Sequence, residues 1–380
     1  MSVGLWAAVR GFVSAIGRIA ASESPEGLMM SIQIRAIAHA LPSRVVTNQM
    51  VVDAVVEQSR KTFGGDIATL ESTLHAMFES AGTRVRYHRD SQETALELGA
   101  RAGCAALERA GLAPQDIDLL LYVGVGRGFL EPATFNVFQD VLSLHNATGF
   151  DILDACASWM RALDVASALT RDGRYRNVMI LNAEFNVRDY ERLEFAAVDE
   201  LEYKFPALTI GEAATATIVS AASQAAANDI GYFASFRSEG RAHDLCKIPL
   251  PNIAQYSNRE QRSDFPALKF YSYGERIFQF GFQQVVKHFR SLEALKEARA
   301  SSEAFFFHSA SQPLAERIGK VLELRGGHHT HSAFGNTVSA SIPLGISDAI
   351  DKGILCKGMQ VVLGCGSAGF SSGWCKFKYA

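Results

Sequence analysis

The chain has 380 residues, 48% of them hydrophobic and 20% charged, so it carries enough apolar side chain for a large core and is neither disordered nor collagen-like. Its 37 basic and 40 acidic residues leave a net charge of −3, which gives no basic surplus for a phosphate backbone and argues against a nucleic-acid partner. Six cysteines without a C-x-x-C pair fit a reducing compartment, the cytoplasm, and no uncharged run of about 20 apolar residues is present to span a membrane.

At about 150 residues per domain, the length suggests two or three domains. Leu5, Val9, Phe12, Val13, Ile16 and Ile19 recur at helical spacing with Arg10 and Arg18 among them, which predicts a short amphipathic helix rather than a secretion signal. A linker from Ser22 to Gly27 follows. Residues 1–31 are therefore expected to be an extension outside the fold, the alternative being a surface or partner anchor through residues 1–20.

From residue 32 onward, apolar strands alternate with amphipathic helices, the pattern of an α/β protein. The predicted order begins with a strand at residues 32–38, a helix at 91–110 stopped by Gly111, and a buried strand at 117–125. A strand at 149–153, a helix at 157–170 and a strand at 177–182 follow. The charged and aromatic stretch 184–206 is predicted as an inserted loop or helical lid. The alternation then resumes with a long helix at 270–289, a strand at 304–307, helices at 313–322 and 339–352, and a closing strand at 360–364.

Two patterns invite misreading. Gly364-Cys-Gly366-Ser-Ala-Gly369 matches G-x-G-x-x-G after a strand, but the chain ends at Ala380, too soon for the helix, second strand and acidic residue that a dinucleotide site needs. His328, His329 and His331 crowd one segment without a carboxylate or cysteine at ligand spacing, so a solvated loop is expected there and no metal.

The segment Phe150-Asp-Ile-Leu-Asp-Ala-Cys156 ends a strand where the next helix begins. A thiol at a helix N-terminus is expected to have a lowered pKa and to serve as a nucleophile. His308 follows the apolar run Phe305-Phe-Phe, at a strand end where open α/β sheets gather their sites. Asn336, in Phe334-Gly-Asn-Thr337, sits at a tight turn before a helix.

Cys156, His308 and Asn336, in that chain order, resemble the thiolase superfamily and its ketoacyl synthase III branch. The motifs read Asp151-Ile-Leu-Asp-Ala-Cys156, His308-Ser-Ala-Ser311 and Gly335-Asn336-Thr337, with Gly366-Ser-Ala-Gly369-Phe370 standing at the family's glycine-rich turn. The resemblance spans residues 32–380. It implies a thiolase-like duplicated five-layer α/β/α/β/α fold, with an N-terminal half at 32–205 carrying the cysteine and a C-terminal half at 206–380 carrying histidine and asparagine. It also implies an oxyanion hole from the backbone N–H groups of Cys156 and Gly369, a buried acyl and pantetheine tunnel, and a homodimer. Two departures stand out: the family's H-Q-A-N is His308-Ser-Ala-Ser311 here, and its entrance tryptophan has no counterpart before Gly82.

Arg127-Gly-Phe-Leu130-Glu131-Pro132-Ala-Thr134 is similar to a segment of the OleA-type thiolases, which join two fatty acyl-CoA molecules head to head. There the glutamate acts as a base across the dimer, so the resemblance casts Glu131 in that role; a plain exposed residue before a helix is the other reading. The segment after Ala183-Glu184 and the stretch from Arg237-Ser238 to Leu245-Cys246 are similar to the same subgroup. The implied activity is Claisen condensation between acyl-CoA or acyl-carrier-protein thioesters through an acyl-cysteine, with no tightly bound cofactor and no metal. The alternatives are acyl transfer to oxygen or nitrogen by the same cysteine, and a non-catalytic subunit of a ketosynthase heterodimer.

Overall fold

The run Leu119–Val123 contains no charged residue and is buried along its whole length, which is what a strand covered on both faces requires. It lies in a five-stranded sheet ordered Ile32–Ala40, Ala213–Ala221, Asn177–Glu184, Leu119–Val123 and Thr148–Ile152. Leu120 and Tyr122 face an outer helical layer of Ala95–Ala110 and Phe135–Val141, while Leu119, Leu121 and Val123 face inward. This computed structural model describes residues 32–380 apart from Asp172, Asn186, 223–225, 227–229, 257–265 and Ser309, so the predicted N-terminal helix and linker lie outside the described residues.

A second sheet is ordered Ala304–Phe307, Gln360–Ser367, Ser371–Lys378 and Phe233–Ser238. Its alternation is equally clear. Phe305 and Phe307 point to outer helices Gly274–Arg290 and Gln312–Leu322, whereas Ala304 and Phe306 point to the centre. Helices Ser158–Arg171 and Ser341–Asp351 fill the space between the sheets, burying Trp159, Met160 and Leu163 against Ile342 and Ile346. The result is the expected five-layer α/β/α/β/α arrangement. One irregularity has a visible cause: Ile32, Ile34 and Ile37 all reach the central core because the pairing register of the first strand shifts between Ile34 and Ala36.

Several elements differ from expectation. The helix predicted from residue 91 begins at Ala95, because Thr94 and Glu97 form a reciprocal capping box, and it stops at Gly111 in the left-handed conformation. The strand predicted to close the chain at Gly364 runs to Ser367 and returns as Ser371–Lys378 in an eight-pair antiparallel ladder. The strand Ala213–Ala221 lies beyond the expected 205/206 division, yet it is hydrogen-bonded inside the first sheet between Ile32–Ala40 and Asn177–Glu184, so the first sheet is completed by residues assigned to the second half. The segment 184–206 holds two short 3₁₀ turns and leads into the helix Leu201–Leu208. No helix among the described residues is long and apolar enough to cross a membrane.

Candidate active site

Cys156 occupies a 3₁₀ turn, Ala155–Ala157, wedged between the strand Thr148–Ile152 and the helix Ser158–Arg171. The second sheet fixes this turn. Ser367 Oγ donates to the Asp154 carbonyl at 2.9 Å and accepts from the Ala157 N–H at 3.2 Å, clamping the backbone on both sides of the cysteine. Asp154 is further held by Arg161 at 2.9 Å. The expected lowering of the thiol pKa is not found: burial pushes the Cys156 thiol well above its ordinary value, Cys246, Glu184 and Cys365 add to the rise, and only the Ala368 N–H opposes it. The 3₁₀ turn sets the cysteine ahead of the α-helix proper, and loss of water outweighs the helix terminus.

His308 stands just past Ala304–Phe307 and is buried. Its Nδ1 lies 3.1 Å from Ser341 Oγ, and the Ser341 hydroxyl donates to the Val338 carbonyl at 2.7 Å. With its proton on that carbonyl, the hydroxyl is left as an acceptor, so Nδ1 is the ring nitrogen that donates and Nε2 keeps its lone pair. Burial, aided by His331 and opposed by the Val338 backbone, lowers the His308 pKa to about 4. The imidazole is therefore neutral near pH 7.

Asn336 is placed by two glycines. Its backbone N–H donates to the Thr209 carbonyl at 2.9 Å and its carbonyl accepts from Gly211 at 3.0 Å, joining this turn to the segment that enters the first sheet at Ala213. A side chain at Gly211 would collide with the Phe334 carbonyl, and Gly335 has φ +70, so neither position tolerates a Cβ. Asn336 Oδ1 accepts from the Val338 N–H at 3.0 Å, which leaves the amide NH₂ as the free end.

Cys156, His308 and Asn336 all line one cavity of about 1280 Å³. Its walls are mostly apolar, with Phe205, Phe270, Phe278 and Phe282 among them, and the segment 184–206 contributes Val187, Val198 and Leu201. One apolar lumen thus carries a thiol, an imidazole lone pair and an amide donor on its walls. The helix Ile67–Ala81 also lines the cavity, with Met77 and Ser80.

Other expected residues lie elsewhere. Gly369 has φ +123 but is not part of the cavity wall; Ala368, one residue earlier, is, and its backbone N–H is the one that faces the Cys156 sulfur. Glu131 is exposed on the loop before Phe135–Val141 and is not brought to Cys156 within this chain. The segment Gly364–Gly369 runs from a strand into the turn that leads to the strand Ser371–Lys378. The histidine cluster is not a solvated loop: His331 is fully buried with Nε2 2.6 Å from Thr83 Oγ1, and His328 pairs with Asp348 at 2.8 Å. Among the described residues no group of three or more His, Cys, Asp or Glu is placed to hold a metal ion.

Ser341, Ser367, Ala368 and Glu184 are site residues that sequence reasoning does not single out. Glu184 alone has a local signal, a carboxylate at the carboxyl end of a buried strand.

A family model described as 3-oxoacyl-[acyl-carrier-protein] synthase III matches residues 150–238, and its C-terminal counterpart matches residues 292–379. The chain is 26% identical over 336 residues to beta-ketoacyl-[acyl-carrier-protein] synthase III of Sulfurovum sp., covering 87% of this chain and 90% of the relative. It is 23% identical over 363 residues to the protein of the same name from Fusobacterium nucleatum, covering 93% and 100%. Among solved structures, 3-oxoacyl-[acyl-carrier-protein] synthase III of Aquifex aeolicus superposes with a TM-score of 0.74 at 19% identity, covering 92% of this chain and all of the other. OleA of Xanthomonas campestris, solved with lauric acid and lauroyl-CoA, superposes at 0.76 with 18% identity, covering 92% and 100%.

Proposed function

This chain belongs to the thiolase superfamily as a 3-oxoacyl synthase III-like acyltransferase, and we propose that it joins two acyl thioesters by Claisen condensation through an acyl group carried on Cys156. The observation that carries this reading is the meeting of Cys156, His308 and Asn336, from two different halves of the chain, on one apolar cavity.

The steps follow from the free ends of those side chains. His308 Nε2 accepts the Cys156 proton as sulfur attacks the thioester carbonyl, so the high thiol pKa is overcome only with substrate in place. Backbone N–H groups of Cys156 and of the turn 366–370 hold the tetrahedral oxyanion, the Ala368 N–H being the one on the sulfur's side. The departing thiol takes the proton back and the acyl group remains on sulfur. A second thioester then enters, and the Asn336 amide, with Oδ1 already occupied, donates to its carbonyl and stabilises the enolate. The enolate carbon attacks the acyl-cysteine, forming the new carbon–carbon bond and releasing the Cys156 thiolate for reprotonation.

Two sources of the enolate are distinguished by Glu131. A malonyl extender yields it by losing carbon dioxide; an ordinary acyl-CoA needs a base. In a homodimer Glu131 of one protomer would reach the other's cavity. Supporting that assembly, the strand Thr148–Ile152 pairs on one side only among the described residues, while Phe129, Leu130, Phe150 and Leu153 are exposed. The loop carrying Glu131 is tied to that strand, since Asp151 accepts from Thr134 and Phe135 at 2.7 and 3.0 Å. The cytoplasm is the compartment that fits six unpaired thiols. The test is incubation with acyl-CoAs of several lengths, with and without a malonyl thioester, and identification of products by mass. A β-keto product supports the reading; acyl transfer without a new carbon–carbon bond contradicts it.

A further inference from the structure

Glu184 ends the strand Asn177–Glu184 with its carboxylate enclosed, 2% exposed, and it does not line the cavity. Both oxygens are occupied by donors. Oε1 accepts the Val125 N–H at 3.0 Å together with the Ser339 hydroxyl, and Oε2 accepts the Gly126 N–H at 2.8 Å. These donors belong to two separated parts of the site. Val125 and Gly126 open the loop that leads to Glu131, whereas Ser339 lies one turn past Asn336 and also accepts from Asn182 Nδ2 at 2.7 Å. A Cβ at Gly124 would collide with Glu184 Oε1, so the loop's glycine is what lets the carboxylate in.

Burial raises the Glu184 pKa above its ordinary value, while its partners Ser339, Val125 and Gly126 all donate to it and favour the charged form. Its charge is felt at Cys156, where it adds to the rise of the thiol pKa after burial and Cys246. The other titratable groups acting on the sulfur are Cys246 and Cys365, and His308 lines the same cavity; burial raises the two thiols to about 11 and about 12 and lowers the histidine to about 4, so all three are uncharged near pH 7. Asp199, Glu202, Lys247, Glu275 and Arg317 line the wider lumen.

We infer that Glu184 is a positioning residue of this site: it pins the Glu131 loop to the Asn336 turn, and its negative charge adds to the burial that holds Cys156 as a thiol until His308 takes the proton. The inference rests on the reading of Cys156 as nucleophile. Glu184→Gln in the full chain removes the charge and turns an NH₂ toward a backbone donor. Iodoacetamide at pH 8 is then expected to alkylate Cys156 about threefold faster or more, read by peptide mass mapping, because the thiolate fraction rises. Cys375, 1% exposed, must stay unmodified, which reports an intact fold.

A Cys156 rate equal to or below the parent's overturns the inference. If the glutamine variant exposes Cys375, Ser339→Ala decides instead. Acyl-enzyme formation within about twofold of the parent, with condensation slowed about tenfold or more, supports the pinning role, and unchanged condensation overturns it. Failure of the underlying reading is separate: a parent enzyme that forms no acyl adduct on Cys156 ends the nucleophile assignment whatever the alkylation rates.

Discussion

His308 and Ser341 are joined at 3.1 Å through Nδ1 and Oγ, and the serine's own proton is committed to the Val338 carbonyl. The hydroxyl thereby fixes which ring nitrogen is bare. Replacing it, Ser341→Ala, frees the ring to exchange tautomers, and acylation of Cys156 is expected to slow by about tenfold with KM little changed, as for loss of one orienting hydrogen bond. Rapid-quench measurement of CoA release in the first turnover checks this. An equal rate would show that Val338 alone sets the tautomer.

The neutral state of His308 makes a pH prediction. Its pKa lies near 4, so the acylation rate is expected to show no histidine inflection between about pH 5 and 8 and to fall only near pH 4. A clear inflection near 6.5 would mean that the imidazole is solvated in the working enzyme.

Stability follows the same groups in a direction that can be worked out. Burial lowers His88, His288 and His308 to about 4 from the ordinary 6.5. The unfolded chain binds more protons between those values, so stability is full above about 6.5 and is lost as pH falls toward 4. Each such histidine contributes on the order of 1.4 kcal/mol per pH unit in that window. His288, held by Ser372 Oγ at 2.8 Å and Ser235 Oγ at 3.2 Å, lies outside the cavity wall. Urea melts at pH 7.5 and 5.0 should show a smaller pH-dependent loss in His288→Asn than in the parent; an identical loss contradicts the assignment.

Glu131 separates the two condensation routes. Glu131→Gln is expected to leave malonyl-dependent condensation within about twofold while reducing self-condensation of acyl-CoA by a hundredfold or more, the usual scale for a general base. Product ratios by mass spectrometry decide it. Retention of both activities makes Glu131 a surface residue ahead of its helix.

Gly369 tests the oxyanion turn. A Cβ at this position would have no neighbour within 4 Å, so Gly369→Ala meets no clash, yet φ +123 is denied to alanine. The turn must shift and carry the Ala368 N–H with it. One oxyanion donor is worth about 3 kcal/mol, so turnover should fall roughly a hundredfold with the protein still folded. Turnover within twofold would place the oxyanion donors elsewhere.

The three principal residues are legible in the sequence because each has a local grammar: Cys156 between a strand and a helix, His308 after a phenylalanine strand, Asn336 in a glycine turn. Their supports are not. Ser367 reaches Asp154 only after the two halves stack, Ser341 reaches His308 only once the second half has folded, and a serine in an apolar run carries no mark of either contact. The thiol pKa departs from expectation for a related reason, since the helix terminus is visible in sequence whereas the enclosing walls of the cavity are assembled from distant segments. The strand Ala213–Ala221 shows the same limit: its alanine- and threonine-rich run is too bland to announce its place between two strands of the first sheet.

Intact mass of the protein after mixing with a fatty acyl-CoA tests the central claim most directly. The parent should gain one acyl group, mapped to Cys156, and Cys156→Ala should gain none. An adduct that persists in Cys156→Ala, or its absence from the parent at any chain length offered, would contradict the account.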